Sequence, residues 1–311
     1  MSRHRLTLAT IVLVGLAAGH GAAAAGALVI DLRQDPLDPG SRAPALEIQG
    51  GGPDRFVFDA ARPRIGPSDS AGSLRVLYDS TLPTARAVAP LGEIYSEQDD
   101  FVFGAIVTIR PENFEADPTG FHPVTFSLVN TATTGFDRTG DPDDFRSDAF
   151  DTIDVAWFPQ VSPIFGGPYL GPALFGSRVS DDAFANFAFG SVPFAIPAGT
   201  PHLIVAEHDA AGRRLAVTVF ALGPGGRPVP IPGGRAEVDL AYVSGFAVDA
   251  LAITSYEDGF NIYAGSGRSL LAALDYDLLF FAPGSLGPRG GLPALMGMIR
   301  RGAEGAHGLS R

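Results

Sequence analysis

The chain has 311 residues, no cysteine and a formal net charge of −12, and 46% of its residues are hydrophobic. Without cysteine it has no disulfide bond, no thiolate metal ligand and no cysteine nucleophile. Its negative charge opposes the phosphate attraction on which nucleic-acid binding depends, so we expect no nucleic acid among its partners.

The N-terminal residues have the pattern of a secretory signal. A basic start at residues 3–5 precedes an apolar run at 6–18, and small residues stand at 23–25. This order predicts a signal peptide over residues 1–25 and an exported protein, either periplasmic, at the cell surface or extracellular. The apolar run is shorter than the ~20 residues that cross a bilayer, so we expect no integral membrane span.

Period-two patterns rich in β-branched and aromatic residues recur along the chain. The clearest is DFVFGAIVTI at residues 100–109, which Pro111 closes. The same pattern predicts further strands at 55–58, 74–78, 124–130, 152–158, 185–189, 246–256 and 270–281. Two stretches rich in glycine and proline, 159–176 and 223–234, are predicted to be loops.

Six aspartates lie close together after the predicted strand 124–130: Asp137, Asp141, Asp143, Asp144, Asp148 and Asp151. Calcium takes six to eight oxygen ligands, which such a loop can offer through side chains and carbonyls. The first five are therefore candidate ligands of a structural Ca²⁺. The alternative is that these residues are solvated turn and capping residues.

The strand at 152–158 contains the only tryptophan, Trp157. Sugars stack their C–H faces on aromatic rings, and nearby carboxylates or amides bind their hydroxyl groups. This chemistry makes Trp157, Tyr169, Asp154 and Asn130 candidates for a shallow sugar-binding groove. Core packing is the alternative for Trp157, because an aromatic residue on a sandwich strand is usually buried.

The clearest hairpin joins residues 202–208 to 213–220 through a turn at 209–212 that begins with Asp and ends with Gly. His202 and His208 stand at the two ends of its first strand. Residues six apart on a strand are separated by ~20 Å, too far to share one metal ion. We expect both histidines to be surface residues.

The C-terminal residues 283–311 are rich in glycine and contain one short apolar run, 292–299, followed by Arg300 and Arg301. Eight residues cannot cross a membrane. We expect a flexible tail; a short docking helix and a degenerate anchor are the alternatives.

The strands fit one all-β unit over residues 26–282. There is no repeat of fixed period, which argues against a propeller or solenoid. Short strands separated by turn signals favour a sandwich or barrel, and two face-to-face antiparallel sheets are the commoner solution.

Three segments carry a likeness to a known group: residues 78–111, two stretches between 126 and 176, and 255–284. In them the chain resembles uncharacterised secreted bacterial proteins of the concanavalin A-like lectin and glucanase type. The resemblance implies a concanavalin A-like jelly-roll β-sandwich of two antiparallel sheets. None of the three segments is a catalytic signature, so the resemblance concerns fold more than activity.

The resemblance also bears on catalysis. Glycoside hydrolases of this fold carry two glutamates and an intervening aspartate in alternation on one strand, and the nearest match is the strand 152–158. Thr152 and Ala156 stand at the two glutamate positions, and only Asp154 remains. Neither Thr nor Ala can supply the acid or the nucleophile, which favours a non-catalytic relative.

The sequence therefore predicts a secreted, non-enzymatic β-sandwich module with a carbohydrate-binding or cell-surface or matrix role, whose partner is a polysaccharide or glycan. One alternative is a polysaccharide hydrolase or lyase that uses Glu97 with Asp99, or Glu115 with Asp117. The other is a purely structural surface protein.

Overall fold

Two antiparallel β-sheets of eight strands each make up most of the computed structural model. It describes residues 26–33, 35–38, 46–61, 72–79, 82–110, 124–137, 146–158, 168–223, 226–256 and 271–305. The predicted all-β jelly-roll sandwich is confirmed. The predicted signal peptide lies outside the described residues.

The strands in chain order are β1 (Leu28–Asp31), β2 (Glu47–Gly50), β3 (Phe56–Asp59), β4 (Ser73–Asp79), β5 (Ala85–Ser96), β6 (Phe101–Ile109), β7 (Val124–Val129), β8 (Thr152–Phe158), β9 (Tyr169–Phe175), β10 (Phe187–Phe189), β11 (Val192–Pro193), β12 (Pro201–Asp209), β13 (Arg214–Leu222), β14 (Pro228–Asp239), β15 (Ala247–Ser255) and β16 (Leu271–Pro283). One α-helix, α1 (Gly287–Gly305), follows within the described residues. Short 3-10 turns form at Pro53–Arg55 and Ala183–Asn186.

Sheet A has the strand order β14-β13-β12-β6-β16-β4-β3, and β1 pairs with the second half of β16. Sheet B has the order β10-β9-β8-β7-β15-β5-β2, and β11 pairs with β9. The predicted hairpin is the β12–β13 pair, in register from His202 opposite Ala221 to Asp209 opposite Arg214. Its turn is closed by a 2.7 Å hydrogen bond from the Gly212 amide to the Asp209 carboxylate.

The inner faces of the two sheets form one apolar core. Phe103 and Leu279 of sheet A, and Leu128 and Ile253 of sheet B, are among its buried residues. All nine residues of β6 are buried, so this strand has no solvent face. Burial on both faces explains why its sequence is an almost continuous apolar run.

Helix α1 provides the cover over the outer face of sheet A. Leu295, Met298 and Ile299 form a second buried cluster with side chains of the sheet such as Ile106 and Phe280. The expectation of a flexible tail was therefore wrong for residues 287–305. The outward side chains of β6, β12 and β16 that belong to this cluster are apolar, and burying them under a helix stabilises both parts. Within the described chain, no helix has the apolar length that crossing a membrane requires.

Two stretches expected to be loops contain strands. The glycine- and proline-rich stretch at 223–234 forms the first half of β14, the edge strand of sheet A, where a proline need not donate to a neighbour. The stretch at 159–176 contains β9. Its Pro172 falls at the interruption between β10 and β11, where the Gly190 amide donates to the Pro172 carbonyl at 3.1 Å. Both strands tolerate proline because no neighbouring strand needs a hydrogen bond from the backbone nitrogen at these positions.

Replacing Ile299 with alanine tests the docking of α1. Ile299 is fully buried against sheet A, so Ile299→Ala should lower the free energy of unfolding by about 2–4 kcal/mol. The exposed neighbour Arg300 provides the control, and Arg300→Ala should change it by less than about 0.5 kcal/mol. Urea unfolding followed by circular dichroism measures both. Equal stability of the two variants would contradict a docked helix.

Candidate functional site

Two of the four residues predicted to bind sugar, Asp154 and Tyr169, lie on the outer face of sheet B. On β8, Ile153 and Val155 belong to the core between the sheets, so Asp154 points to the opposite face. Strand register then places four residues in one row across this face, Ser127, Asp154, Ala173 and Phe189, on β7, β8, β9 and β10. A carboxylate and an aromatic ring thus flank the small side chain of Ala173.

Asp154 is buried within this face. Its Oδ1 accepts a 2.5 Å hydrogen bond from the Ser127 hydroxyl, and the Tyr256 hydroxyl donates to the same carboxylate at 3.3 and 3.4 Å. Thr152, two residues earlier on the same face, is buried as well. The carboxylate therefore ties β7, β8 and the end of β15 together, and its role as a sugar ligand stays a prediction.

Asn130 is committed to a turn at the end of β7. Its Oδ1 accepts hydrogen bonds from the amides of Ala132 and Thr133 at 3.0 and 3.2 Å. Its Nδ2 donates to the Ala247 carbonyl at 3.0 Å. This pattern is that of a residue that caps a local turn and fixes it to β15.

The aromatic candidates lie on β8 and β9. The backbone of Trp157 pairs with Val124 and Leu170, and its side chain lies outside the described residues. Tyr169 is partly buried at the start of β9. Because its neighbour Leu170 faces the core, Tyr169 points to the outer face, as Asp154 does. The structure thus brings Tyr169 and Asp154 to one face.

An exposed row of phenylalanines borders the same face and was missed in the sequence analysis. We call Phe184, Phe187 and Phe189 the aromatic row. Ring centroids lie 5.4 Å apart for Phe184 and Phe187, and 6.4 Å apart for Phe187 and Phe189, whose planes differ by only 9°. Phe184 is 38% exposed and Phe189 41%. The alternation FAF at 187–189 was the signal available in the sequence.

Phe175 anchors the aromatic row from below. It is almost fully buried on β9, and its ring lies 4.6 Å from Phe187 and 5.4 Å from Phe184. The 3-10 turn that carries Phe184 is capped by Asp182, whose carboxylate accepts from the Phe184 amide at 2.9 Å. Rings held on a strand and a capped turn keep their orientation without a bound ligand.

The candidate calcium ligands are only partly described. Asp148 accepts a 2.7 Å hydrogen bond from the Asp137 amide through Oδ1, and the Asp148 amide donates to the Asp137 carbonyl at 2.9 Å. Asp141, Asp143 and Asp144 lie outside the described residues. No group of three or more His, Asp or Glu side chains suited to a metal ion occurs in the described part of the chain. The calcium site stays a prediction.

Asp151, the last aspartate of that cluster, joins three loops. Its backbone is left-handed, with φ 52°. Its carboxylate accepts from the Ser177 hydroxyl at 2.6 Å, the Ala247 amide at 2.9 Å and the Thr133 hydroxyl at 2.6 Å. These bonds hold the ends of β7, β9 and β15 beside β8.

His202 and His208 are buried, so the expectation that they are surface residues was wrong. His208 is only 1% exposed and stacks 4.8 Å from Phe101, with the edge of Phe246 at 5.2 Å. Its Nδ1 lies 2.7 Å from the Asp99 carbonyl, to which it donates as the protonated nitrogen. Both side chains lie on the inner face of β12, and apolar packing with one satisfied nitrogen keeps them there.

The carboxylates considered for catalysis serve the β5–β6 turn. Asp99 accepts from the amide and the hydroxyl of Ser96 at 2.8 and 2.9 Å, and Glu97 accepts from the Phe246 amide at 3.4 Å. Glu115 and Asp117 lie outside the described residues. A pocket of about 10 Å³ beside this turn is lined by Glu97, His208, Arg213, Leu240, Val243 and Phe246. It has room for about one water molecule, which is too little for a sugar ring.

Comparison with known proteins identifies neighbours in fold. No family model matches the sequence, and a search of curated proteins found no match. Among solved structures, the chain is similar to lectin UEA-II complexed with galactose, with 13% identity, a TM-score of 0.47 and coverage of 84% of this chain and 99% of the lectin. The seed lectin of Lotus tetragonolobus gives 14% identity, a TM-score of 0.44 and coverage of 84% and 100%.

The carbohydrate recognition domain of Emp47p is a third such structure, with 10% identity, a TM-score of 0.41 and coverage of 83% and 95%. These neighbours are lectins with the concanavalin A-like fold. At such low identity the likeness is one of fold alone.

The buried histidines predict a loss of stability in mild acid. Desolvation by burial lowers the pKa of His208 and of His202 below the usual 6.5, so the unfolded chain binds more protons than the folded one below that pH. Stability should therefore fall as the pH drops below about 6.5. His208→Gln, which keeps a donor for the Asp99 carbonyl, should flatten this dependence.

Urea unfolding at pH 7.5, 6.5 and 5.5 measures the dependence in both proteins. Aspartate and glutamate side chains titrate in the parent protein and in the variant alike, so their contribution to the pH dependence cancels when the two proteins are compared. If the free energy of unfolding changed equally with pH in the parent protein and in His208→Gln, His208 would not be a source of the pH dependence.

Proposed function

We propose that this protein is an exported, non-enzymatic β-sandwich module that binds a glycan on the outer face of sheet B. The aromatic row is the observation that carries the proposal. It presents partly exposed rings, held by Phe175 and by the turn before β10, beside a face that also carries the partly buried Tyr169. Flat apolar rings next to polar groups match the C–H faces and hydroxyl groups of sugars.

The geometry of the aromatic row favours a chain of sugars over a single one. Phe187 and Phe189 are two residues apart on one strand, and their rings are nearly parallel. Two consecutive sugar units would therefore meet the same ring orientation. The net charge of −12 favours a neutral glycan over a polyanionic one.

The proposal of a binding role without catalysis rests on β8. Retaining and inverting glycosidases need two carboxyl groups about 5–9.5 Å apart across the scissile bond. Asp154 is buried against Ser127 and Tyr256, and the next outward position on its N-terminal side is Thr152. Asp99 and Glu97 both hold a turn. These engagements speak against a hydrolase or lyase that uses Asp154 or the pair Glu97 and Asp99.

Export and calcium belong to the proposal as further parts. The basic, apolar and small-residue order of residues 1–25 supports export. The aspartates that flank and fill residues 137–148 support a structural Ca²⁺. Binding experiments are therefore run with and without calcium.

A glycan array, followed by polysaccharide pull-down, is expected to identify a neutral glycan that the purified protein binds. For that glycan, Phe189→Ala and Phe187→Ala should each weaken binding about three- to tenfold, because each removes one stacking ring. Isothermal titration calorimetry measures the change.

Ile94→Ala is the matched control, since Ile94 is also exposed and apolar but lies on β5, with β15, β7, β8 and β9 between it and β10. Blank arrays under both calcium conditions would overturn the sugar-binding proposal and leave the structural alternative. Release of reducing ends or unsaturated products from the bound glycan would overturn the non-enzymatic part.

A further inference from the structure

Arg86 is a buried arginine on the outer face of sheet B. Its neighbours Ala85 and Ala87 on β5 point into the core between the sheets, so the Arg86 side chain points the other way. It is nevertheless only 1% exposed. An arginine is rarely buried to this extent unless its charge is paired.

One side of the Arg86 guanidinium is occupied. Nη1 donates to the Thr134 carbonyl at 2.9 Å, and the guanidinium carbon lies 4.2 Å from the centre of the Phe136 ring. Both residues belong to the segment that follows β7. Phe136 is itself 39% exposed, so it separates the buried cation from solvent by one ring.

The other edge of the guanidinium is buried without a hydrogen-bond partner in the described part of the chain. Nε and Nη2 of Arg86 have no hydrogen-bond partner among the residues that the structure describes, although both atoms are buried. These two nitrogens form the edge with which arginine grips a carboxylate through two parallel hydrogen bonds. Buried donors without acceptors are rare in folded proteins and call for a missing partner.

Arg33 of the same chain shows what such an edge binds. It is buried too, and its Nε and Nη2 both donate at 2.5 Å to the two oxygens of Asp31. Arg86 offers the same two donors, buried to the same degree, without the carboxylate. The comparison identifies the missing partner as a planar oxyanion.

We propose that the Nε and Nη2 edge of Arg86 binds a small carboxylate anion beneath the segment 130–137. The anion accepts two charge-assisted hydrogen bonds and compensates the buried cation, while Thr134 and Phe136 hold the guanidinium plane in place. The site lies on β5, with β15, β7, β8 and β9 between it and β10, and it uses none of the side chains of the aromatic row.

The charges around Arg86 narrow the ligand to a monoanion. Desolvation lowers the pKa of Arg86, whereas Tyr256, Asp154 and Asp148 act to raise it, so these acidic groups lie within electrostatic reach. The carboxylates of Asp154 and Asp148 repel further negative charge near the guanidinium. A singly charged carboxylate is therefore favoured over phosphate dianion or a polyanionic chain.

The test uses the whole protein and acetate as the probe. In an NMR spectrum of the guanidinium Nε–H groups, the Arg86 signal should shift saturably as acetate replaces chloride at constant ionic strength. The Arg33 signal should not shift, because Asp31 already occupies the Nε and Nη2 edge of that side chain. No shift at Arg86, or one that grows linearly without saturation, would overturn the proposal.

Two variants add charge and geometry controls. Arg86→Lys keeps the charge and loses the forked edge, so acetate binding, followed in this variant through the backbone amide signals of Thr134 and Phe136, should weaken about tenfold or more. Asp148→Asn keeps an oxygen for the Asp137 amide and removes a nearby negative charge, so binding should tighten a few-fold. Unchanged affinity in Arg86→Lys would overturn the proposal, and the spectrum of the parent protein decides the matter if this variant does not fold.

A further comparison distinguishes a free carboxylate anion from a carboxylate carried on a sugar chain. Glucuronate oligosaccharides present the same group as part of a chain. Saturable binding of acetate supports the small-anion site, whereas a response to the oligosaccharide without one to acetate would overturn it. Phe189→Ala should bind acetate like the parent protein, so a failure of the glycan proposal would leave this result unaffected.

Discussion

Contact between the inner faces of the two sheets is the constraint on which the remaining structure depends. The Phe103 ring of sheet A lies 5.8 Å from Phe126 of sheet B, and Tyr95 of sheet B lies 4.6 Å from Phe281 of sheet A. Burying these rings fixes which side chains of each strand point inward. Every alternate residue is then assigned to an outer face, including Asp154 on β8.

The outer faces of the two sheets differ in what covers them. Part of the outer face of sheet A is covered by α1 through an apolar cluster. The outer face of sheet B instead combines buried polar side chains in its middle with exposed rings at its β10 border. Polar groups that are held in place, next to accessible apolar surface, are the arrangement expected of a recognition surface.

Local pattern predicted much of the fold. Strand β8 and the β12–β13 hairpin follow from alternation and turn residues, which depend only on neighbours in sequence. Glycine and proline content wrongly predicted loops where strands form. Proline is tolerated in β14 because this strand is at a sheet edge, and in β9 because Pro172 lies at an interruption of the pairing. The inward direction of His202 and His208 depends on the partner sheet and has no local signal. For α1, the apolar run 292–299 allowed a docking helix as an alternative, but the surface that it covers depends on sheet A.

For the candidate site, the sequence predicted which face a side chain is on but not its hydrogen-bond partners. Alternation places Asp154 on one face with Tyr169, but the Ser127 and Tyr256 bonds that bury it join residues far apart in the sequence. Likewise, nothing near Arg86 in the sequence indicates that Thr134 and Phe136 will engage one half of its guanidinium.

The prolines of β14 affect how readily a second copy of the protein can pair with the edge of sheet A. An unpaired strand edge is a template on which another chain can add a strand and begin aggregation. The outer edge of β14 carries Pro228, Pro230 and Pro232, which have no amide hydrogen to offer an incoming strand. The first half of this edge of sheet A is therefore a poor template for a strand from a second copy.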